Sequence, residues 1–328
     1  MTVPPPEPEP PMKTTACPSQ EAKLVATLTG HTGRVPKLVF SPDRSLLAST
    51  ADDATACLWA IAGGLPGPRA VLNKGEPLRG LAFAPNSRTL AVGSAAPNGL
   101  VWLFDVTDRQ PLPVATLRGP RGAVEALAFS ADGKLLAGGG EDSVLRVWEV
   151  TANTAGNARA ILPGHSRPIT HLAFAPDGQS IATAAGDGTV RLWTVGRIWS
   201  KEKAVLPHPG GATALAFSPD GKWLATAAGD HRLRLWDLTG LTPRLQAELL
   251  GHTTLVGLTH FAPDGRTLVS VADGPILYHW EPLSSTRTAI WTVPAAEATG
   301  LALTGDARYL AVGTAAGPIG IYRVAAKR

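Results

Sequence analysis

Cysteine is almost missing from this 328-residue chain, which holds only Cys17 and Cys57. Two thiols, one of them in a Pro-rich leader, build no disulfide framework, so a reducing compartment and a cytoplasmic location are expected. No apolar run approaches the length that crosses a bilayer, so no membrane partner is expected. No long stretch carries apolar residues at the 3.6-residue period of an amphipathic helix. Charge of one sign is not in large excess either. Thirty Lys and Arg against 26 Asp and Glu leave +4, and the pI is near 9.2. That balance permits acidic partners without demanding them. Abundant Ala, Gly and Pro suggest GC-rich coding and a bacterial source.

What the chain has is repetition. Residues 217–238 read FSPDGKWLATAAGDHRLRLWDL, residues 174–195 read FAPDGQSIATAAGDGTVRLWTV, and residues 40–60 read FSPDRSLLASTADDATACLWA. Weaker copies begin at Phe83, Phe129, Phe261 and Leu303. Each copy ends on an aromatic (Trp59, Phe104, Trp148, Trp193, Trp236, Trp280, Tyr322), at steps of 42 to 45 residues. A fixed period of this size means one structural unit repeated, so residues 21–328 are expected to form a single domain. Hydrophobic residues at 44% are ample for its core.

Residues 1–20 lack the apolar stretch of a secretory signal, so export is not expected. Their prolines predict an extended tail. Such a tail is a solvated leader or a docking peptide, and the first is the simpler reading. Beyond it, Asp132-Gly133, Asp177-Gly178, Asp220-Gly221 and Asp264-Gly265 mark tight turns between short strand-like runs. Runs such as Ala182-Thr183-Ala184-Ala185 are small on both faces, as in sheets covered on both sides. Four-stranded antiparallel sheets stacked radially satisfy both features.

Trp236-Asp237, the pairs Gly30-His31, Gly164-His165 and Gly251-His252, and the constant nine-residue step from His31, His165, His208 and His252 to the Phe of each repeat together resemble the WD-repeat β-propellers. The resemblance covers about residues 23 to 325. It implies an all-β ring of seven four-stranded blades. It also implies a hydrogen-bonded tetrad in each regular blade: His31, Ser49, Asp53 and Trp59; His165, Thr183, Asp187 and Trp193; His208, Thr226, Asp230 and Trp236. Blade 6 has His252, Ser270 and Trp280, with Asp273 one residue early. Such sets imitate a catalytic triad on paper, but sets recurring in several blades serve folding. Blades 2, 3 and 7 depart from the pattern at Asn98 and Phe104, at Pro120 and Gly138, and at Ala316 and Tyr322. Gly138-Gly139-Gly140 reads as a small-residue strand, since no helix start follows it to make a phosphate loop.

The seventh repeat runs out after its third strand, so residues 24–28 are expected to supply its fourth and tie the two ends together. Deleting residues 1–29 should then ruin the fold, and deleting 1–20 should be harmless. The family's channel-mouth positions fall on Arg34, Pro36, Asp52, Arg79, Glu125, Glu141, Thr170, Thr213, Leu255 and Glu297. The opposite face should carry Arg44, Arg88, Lys134, Lys222, Arg266 and Arg308 as a basic ring. There, Arg197, Trp199, Lys201, Lys222 and Trp223 form a candidate aromatic and cationic patch.

The function implied is a non-catalytic scaffold or recognition subunit binding other proteins, monomeric alone or within a hetero-complex. The alternative is a binder of nucleic acid or another anionic surface through the basic face. An enzyme is the least favoured reading: no metal-ligand cluster or nucleophile elbow is present, and His171, His231, His260 and His279 are scattered. No cofactor is expected.

Overall fold

A computed structural model describes residues 19–61, 67–151, 156–196, 199–272, 276–284, 286–294 and 298–324, apart from the side chains at 288 and 289. The calls on Arg197, Asp273 and Glu297 lie outside the described residues.

Seven antiparallel sheets follow one another along the chain. Blade 1 is Lys37–Phe40, Leu46–Thr50, Thr55–Ala60 and Gly67–Asn73, and blade 2 is Leu78–Phe83, Thr89–Ser94, Leu100–Asp105 and Leu112–Arg118. Blade 3 is Val124–Phe129, Leu135–Gly140, Leu145–Glu149 and Ala160–Leu162, and blade 4 is Ile169–Phe174, Ser180–Ala185, Thr189–Val195 and Ser200–Pro207. Blade 5 is Ala212–Phe217, Trp223–Ala228, Leu233–Asp237 and Arg244–Leu249, and blade 6 is Val256–Phe261, Leu268–Ala272, Ile276–Glu281 and Thr286–Thr292. Blade 7 has Ala298–Leu303, Tyr309–Thr314 and Ile319–Arg323 from the end of the chain. Its outer strand is Lys23–Leu28, paired antiparallel with Leu24 opposite Tyr322 and Leu28 opposite Ile319. The ring therefore closes with the N-terminal strand, as expected, and neither terminal sheet keeps a bare inner edge.

The same turn recurs seven times. Asp43, Asn86, Asp132, Asp177, Asp220, Asp264 and Asp306 each accept the backbone N–H two residues on. The intervening residue takes a left-handed conformation in every case. Glycine fills that position in four blades, while Arg44, Ser87 and Ala307 adopt φ of 63°, 57° and 56° in the others. The side-chain cap explains how the turn survives without glycine.

Seven buried clusters lie one at each blade-to-blade junction and complete the circuit. Second strands such as Leu46–Thr50 and Leu268–Ala272 are buried at every position, because neighbouring blades cover both faces. This also accounts for the glycine run of blade 3. A Cβ on Gly139 would stand 2.9 Å from Ile169 of blade 4, and one on Gly138 would stand 2.8 Å from the Trp148 ring.

The tail boundary differs from expectation. Ser19–Glu21 is a fifth strand on blade 6, parallel to Thr286–Thr292, with Ser19 opposite Ile290 and Glu21 opposite Thr292. Ala22 then turns into the core beside Trp291, Val293, Tyr322 and Val324. Ser19 and Gln20 thus belong to the sheet, and a deletion through residue 20 removes pairing. Three polar residues leave no alternation in the sequence from which such a strand could be read.

Candidate functional site

The repeated polar residues are arranged differently from blade to blade. In blade 1 the Nδ1–H of His31 donates to Asp53 at 3.1 Å, and its Nε2 meets the Ser49 hydroxyl at 2.7 Å. The Trp59 indole donates to the same hydroxyl at 2.8 Å. Blade 4 repeats this with His165 to Asp187 at 2.9 Å, His165 to Thr183 at 2.7 Å and Trp193 to Thr183 at 2.8 Å. The carboxylates are held from two further sides. Asp53 accepts from the Thr32 N–H and the Thr55 hydroxyl, and Asp187 from the Ser166 N–H and the Thr189 hydroxyl. Burial works against the charge on Asp53 and Asp187, but these bonds outweigh it and hold both below the usual carboxylate range. Burial likewise holds His31 and His165 below the ordinary imidazole value, with the aspartates opposing.

Blade 5 corrects the expected tetrad. His208 meets Thr226 at 2.6 Å and Trp236 donates to Thr226 at 2.9 Å, but Nδ1 of His208 donates to the Leu206 carbonyl at 2.9 Å. Asp230 instead receives the guanidinium of the nearly buried Arg234, whose Nε reaches Glu248 at 3.1 Å. The cause lies in two residues. Pro209 has no N–H to match those of Thr32 and Ser166, and Arg232 stands where Thr55 and Thr189 supply a hydroxyl. Blade 3 makes the same exchange, with Arg146 on Asp142 at 2.7 Å. Because Gly138 offers no hydroxyl there, the buried Trp148 indole has no partner. In blade 2, Lys74 occupies the histidine position, its ammonium 5.0 Å from the centre of the Phe104 ring. In blade 6 the His252–Ser270–Trp280 chain is made, with His252 stacked 4.2 Å from Tyr278. Burial, then Arg287 and His231, push His252 down to about 4.

With these sets occupied in folding, the remaining concave feature on the axis is a channel of about 460 Å³. Among the expected mouth positions, Arg34, Pro36, Arg79, Glu125 and Thr170 line it, whereas Asp52, Glu141, Thr213 and Leu255 do not. Asp52 donates its N–H to the Arg34 carbonyl at 3.0 Å. Glu141 accepts the Ala123 N–H at 3.0 Å, Thr213 keeps a buried hydroxyl without a partner, and Leu255 is 42% exposed. Two titratable lining residues were missed, Lys37 and His171. Each lies six residues after a signature histidine, one step past the positions chosen. Arg79 pairs with Glu125 at 3.3 Å across neighbouring blades. Burial lowers the Lys37 ammonium against the pull of Glu125. It pushes His171 down to about 3, helped by the charge of Lys37, so this imidazole is neutral.

On the opposite face the basic ring is interleaved with the turn aspartates. Lys134 lies 3.7 Å from Asp132, Lys222 3.7 Å from Asp220, and Arg308 3.9 Å from Asp306, which also binds Arg44. Trp199 is 58% exposed, with the Lys201 ammonium 5.2 Å over its ring. Trp223 is half-buried and turns toward Phe261 and Leu283 at the junction of blades 5 and 6. The candidate patch is thus divided between two surroundings. No group of three or more His, Cys, Asp or Glu suited to a metal ion occurs among the described residues. None of those residues forms a helix long and apolar enough to cross a membrane.

The family model of the WD domain, G-beta repeat, matches residues 22–60, 112–149, 156–194 and 200–237. Each match starts on or beside the outer strand of one blade and ends on the third strand of the next, the stagger that fastens successive blades together. Four such matches within a seven-bladed ring fit a WD-repeat family.

Proposed function

We propose that this chain is a non-catalytic scaffold that receives a partner protein at the channel mouth. The observation that carries the reading is the mouth itself. Arg34, Lys37 and Arg79 converge there with Glu125 as the one opposing carboxylate among the lining residues, and exposed Leu250 and Leu255 stand on the blade 6 loop of the same face. A cationic centre flanked by apolar side chains suits an acidic protein segment with apolar neighbours. The histidines and aspartates of the regular blades are engaged in fastening the sheets, which leaves them unsuited to proton transfer. Binding of nucleic acid by the other face is the weaker reading, because each ion pair there cancels part of the field that would attract phosphates.

The test is affinity purification from the native host with three tagged forms: unaltered, Arg34→Glu with Leu255→Ala, and Trp199→Ala with Lys201→Glu. Partners lost only from the second form support the mouth. Partners lost only from the third move the site to the opposite face, and an unchanged set from all three removes both.

A further inference from the structure

The channel divides into two halves of unlike chemistry. Four consecutive blades each send a titratable side chain into it: Lys37 from blade 1, Arg79 from blade 2, Glu125 from blade 3 and His171 from blade 4. Blades 6 and 7 line the other side with Leu258, Leu301 and Leu303. These leucines are half-buried and pack against the apolar junction between their two blades. A cavity of about 460 Å³ has the size of a small-molecule site, and such sites join an apolar wall to a few converging polar groups.

The polar half has groups left to bind with. Arg79 and Glu125 pair at 3.3 Å, so Glu125 acts on the Lys37 ammonium through space and not by contact. The Arg79 Nε and the His171 Nδ1 are buried without a hydrogen-bond partner among the described residues. Blades 1 and 4 stand across the ring from each other, yet the charge of Lys37 reaches the His171 ring. That ring is neutral, so one of its nitrogens carries a hydrogen to donate. An anion held between an ammonium and an imidazole N–H gives both a partner that burial otherwise denies them.

We propose that the channel binds a small organic anion, whose carboxylate sits between Lys37 and His171 and whose apolar body lies against Leu258, Leu301 and Leu303. An inorganic anion would satisfy the polar half and leave the leucines wet. A neutral apolar molecule would cover the leucines and leave Lys37 and His171 without partners. The inference stands apart from the scaffold reading: the isolated chain binds the anion without a partner protein, and a partner held at the mouth needs no anion beneath it.

The experiment titrates the full chain with hexanoate, acetate, hexanol and inorganic phosphate at fixed pH and ionic strength, reading dissociation constants by ligand-observed NMR. Hexanoate carries both halves of the ligand, acetate and phosphate the charge alone, and hexanol the chain alone. Hexanoate should fill a single site, with saturation by about 10 mM. It should bind about tenfold tighter than each of the other three, because each of them forfeits one set of contacts. Lys37→Met keeps an aliphatic stem without the charge and should weaken hexanoate about tenfold. Lys23→Met, on the exposed outer strand of blade 7, should change nothing. The hexanoate methyl should give NOEs to the methyl groups of Leu258 and Leu301. The ligand series on the unaltered chain decides the matter even where Lys37→Met folds poorly. Phosphate as tight as hexanoate would reduce the channel to a bare anion hole, and hexanol as tight would reduce it to an apolar one. Either result, a failure to saturate, or indifference to Lys37→Met in a folded variant overturns the proposal.

Discussion

Blades 4 and 5 have nearly the same sequence from the Phe to the terminal aromatic, yet they are fastened differently. In blade 4 a continuous chain runs from the Asp187 carboxylate through His165 and Thr183 to Trp193. In blade 5 the chain stops at His208, and Asp230 turns outward to Arg234. Blade 5 nevertheless carries the literal Trp236-Asp237 pair, whereas blade 4 has Trp193-Thr194. The named dipeptide therefore does not decide whether the polar chain is complete. The donors around the aspartate decide it, namely the N–H after the histidine and the hydroxyl two residues after the aspartate.

The largest expected effect tests what the two blades share. Thr183→Val and Thr226→Val each remove a hydroxyl that serves both an imidazole and an indole, leaving two buried groups unpaired. Each should cost about 2–4 kcal/mol in urea unfolding, and the two losses should be nearly equal. A loss confined to blade 4 would mean that the hydroxyl matters only within a complete chain.

Acid should separate the blades next. Burial lowers the folded pKa of both His165 and His208, so the unfolded chain binds more protons once the pH falls below the ordinary imidazole value of 6.5. Stability is then fully present above that value and is lost as the pH falls toward the folded values, with a slope of up to about 1.4 kcal/mol per pH unit for each such histidine. His165 has Asp187 in contact to offset a proton, whereas His208 has a neutral carbonyl in contact and the opposing charges of Arg234 and Asp230 nearby. Protection of the amides of Leu233–Asp237 against exchange, relative to the intrinsic rate at each pH, should therefore fall before that of Thr189–Val195 between pH 7.5 and 5. Simultaneous loosening would remove the distinction.

Smaller effects come from the position two after the aspartate. Thr189→Ala should cost about 1–2 kcal/mol, because a largely buried carboxylate loses a donor. Arg232→Ala should stay within about 0.5 kcal/mol. Smallest of all, Pro209→Ser with Arg232→Thr rebuilds the blade 4 surroundings in blade 5. It should move the His208 Nδ1–H from Leu206 to Asp230, seen as a changed imidazole NMR shift, with a gain of no more than about 1 kcal/mol. An unchanged shift would show that Arg234 outcompetes His208 whatever the donors.

Much of this was legible in the residues. The period, the Pro-Asp-Gly turns and the small two-faced strands imply radially stacked four-stranded sheets, and the resemblance to WD-repeat propellers implies the seven blades and the tetrads of blades 1 and 4. The failure in blade 5 was also written there, in Pro209 and Arg232, but matching side chains by position hides a missing backbone donor. His171 escaped because a register shift near the start of the blade 4 inner strand, between Ile169 and His171, changes which residues face the axis; Lys37 opens the blade 1 inner strand, whose pairing carries no such shift. The fifth strand of blade 6 had no signal, since its pairing depends on a neighbouring edge rather than on its own pattern.

The account rests most heavily on a ring held shut by Lys23–Leu28, and urea unfolding of two truncations tests it most directly. Removal of residues 1–18 should leave a soluble protein with a single cooperative transition close to that of the full chain. Removal of residues 1–29 takes away the outer strand of blade 7 and should yield aggregated material or a chain without that transition. Two truncations of equal stability would contradict the closure.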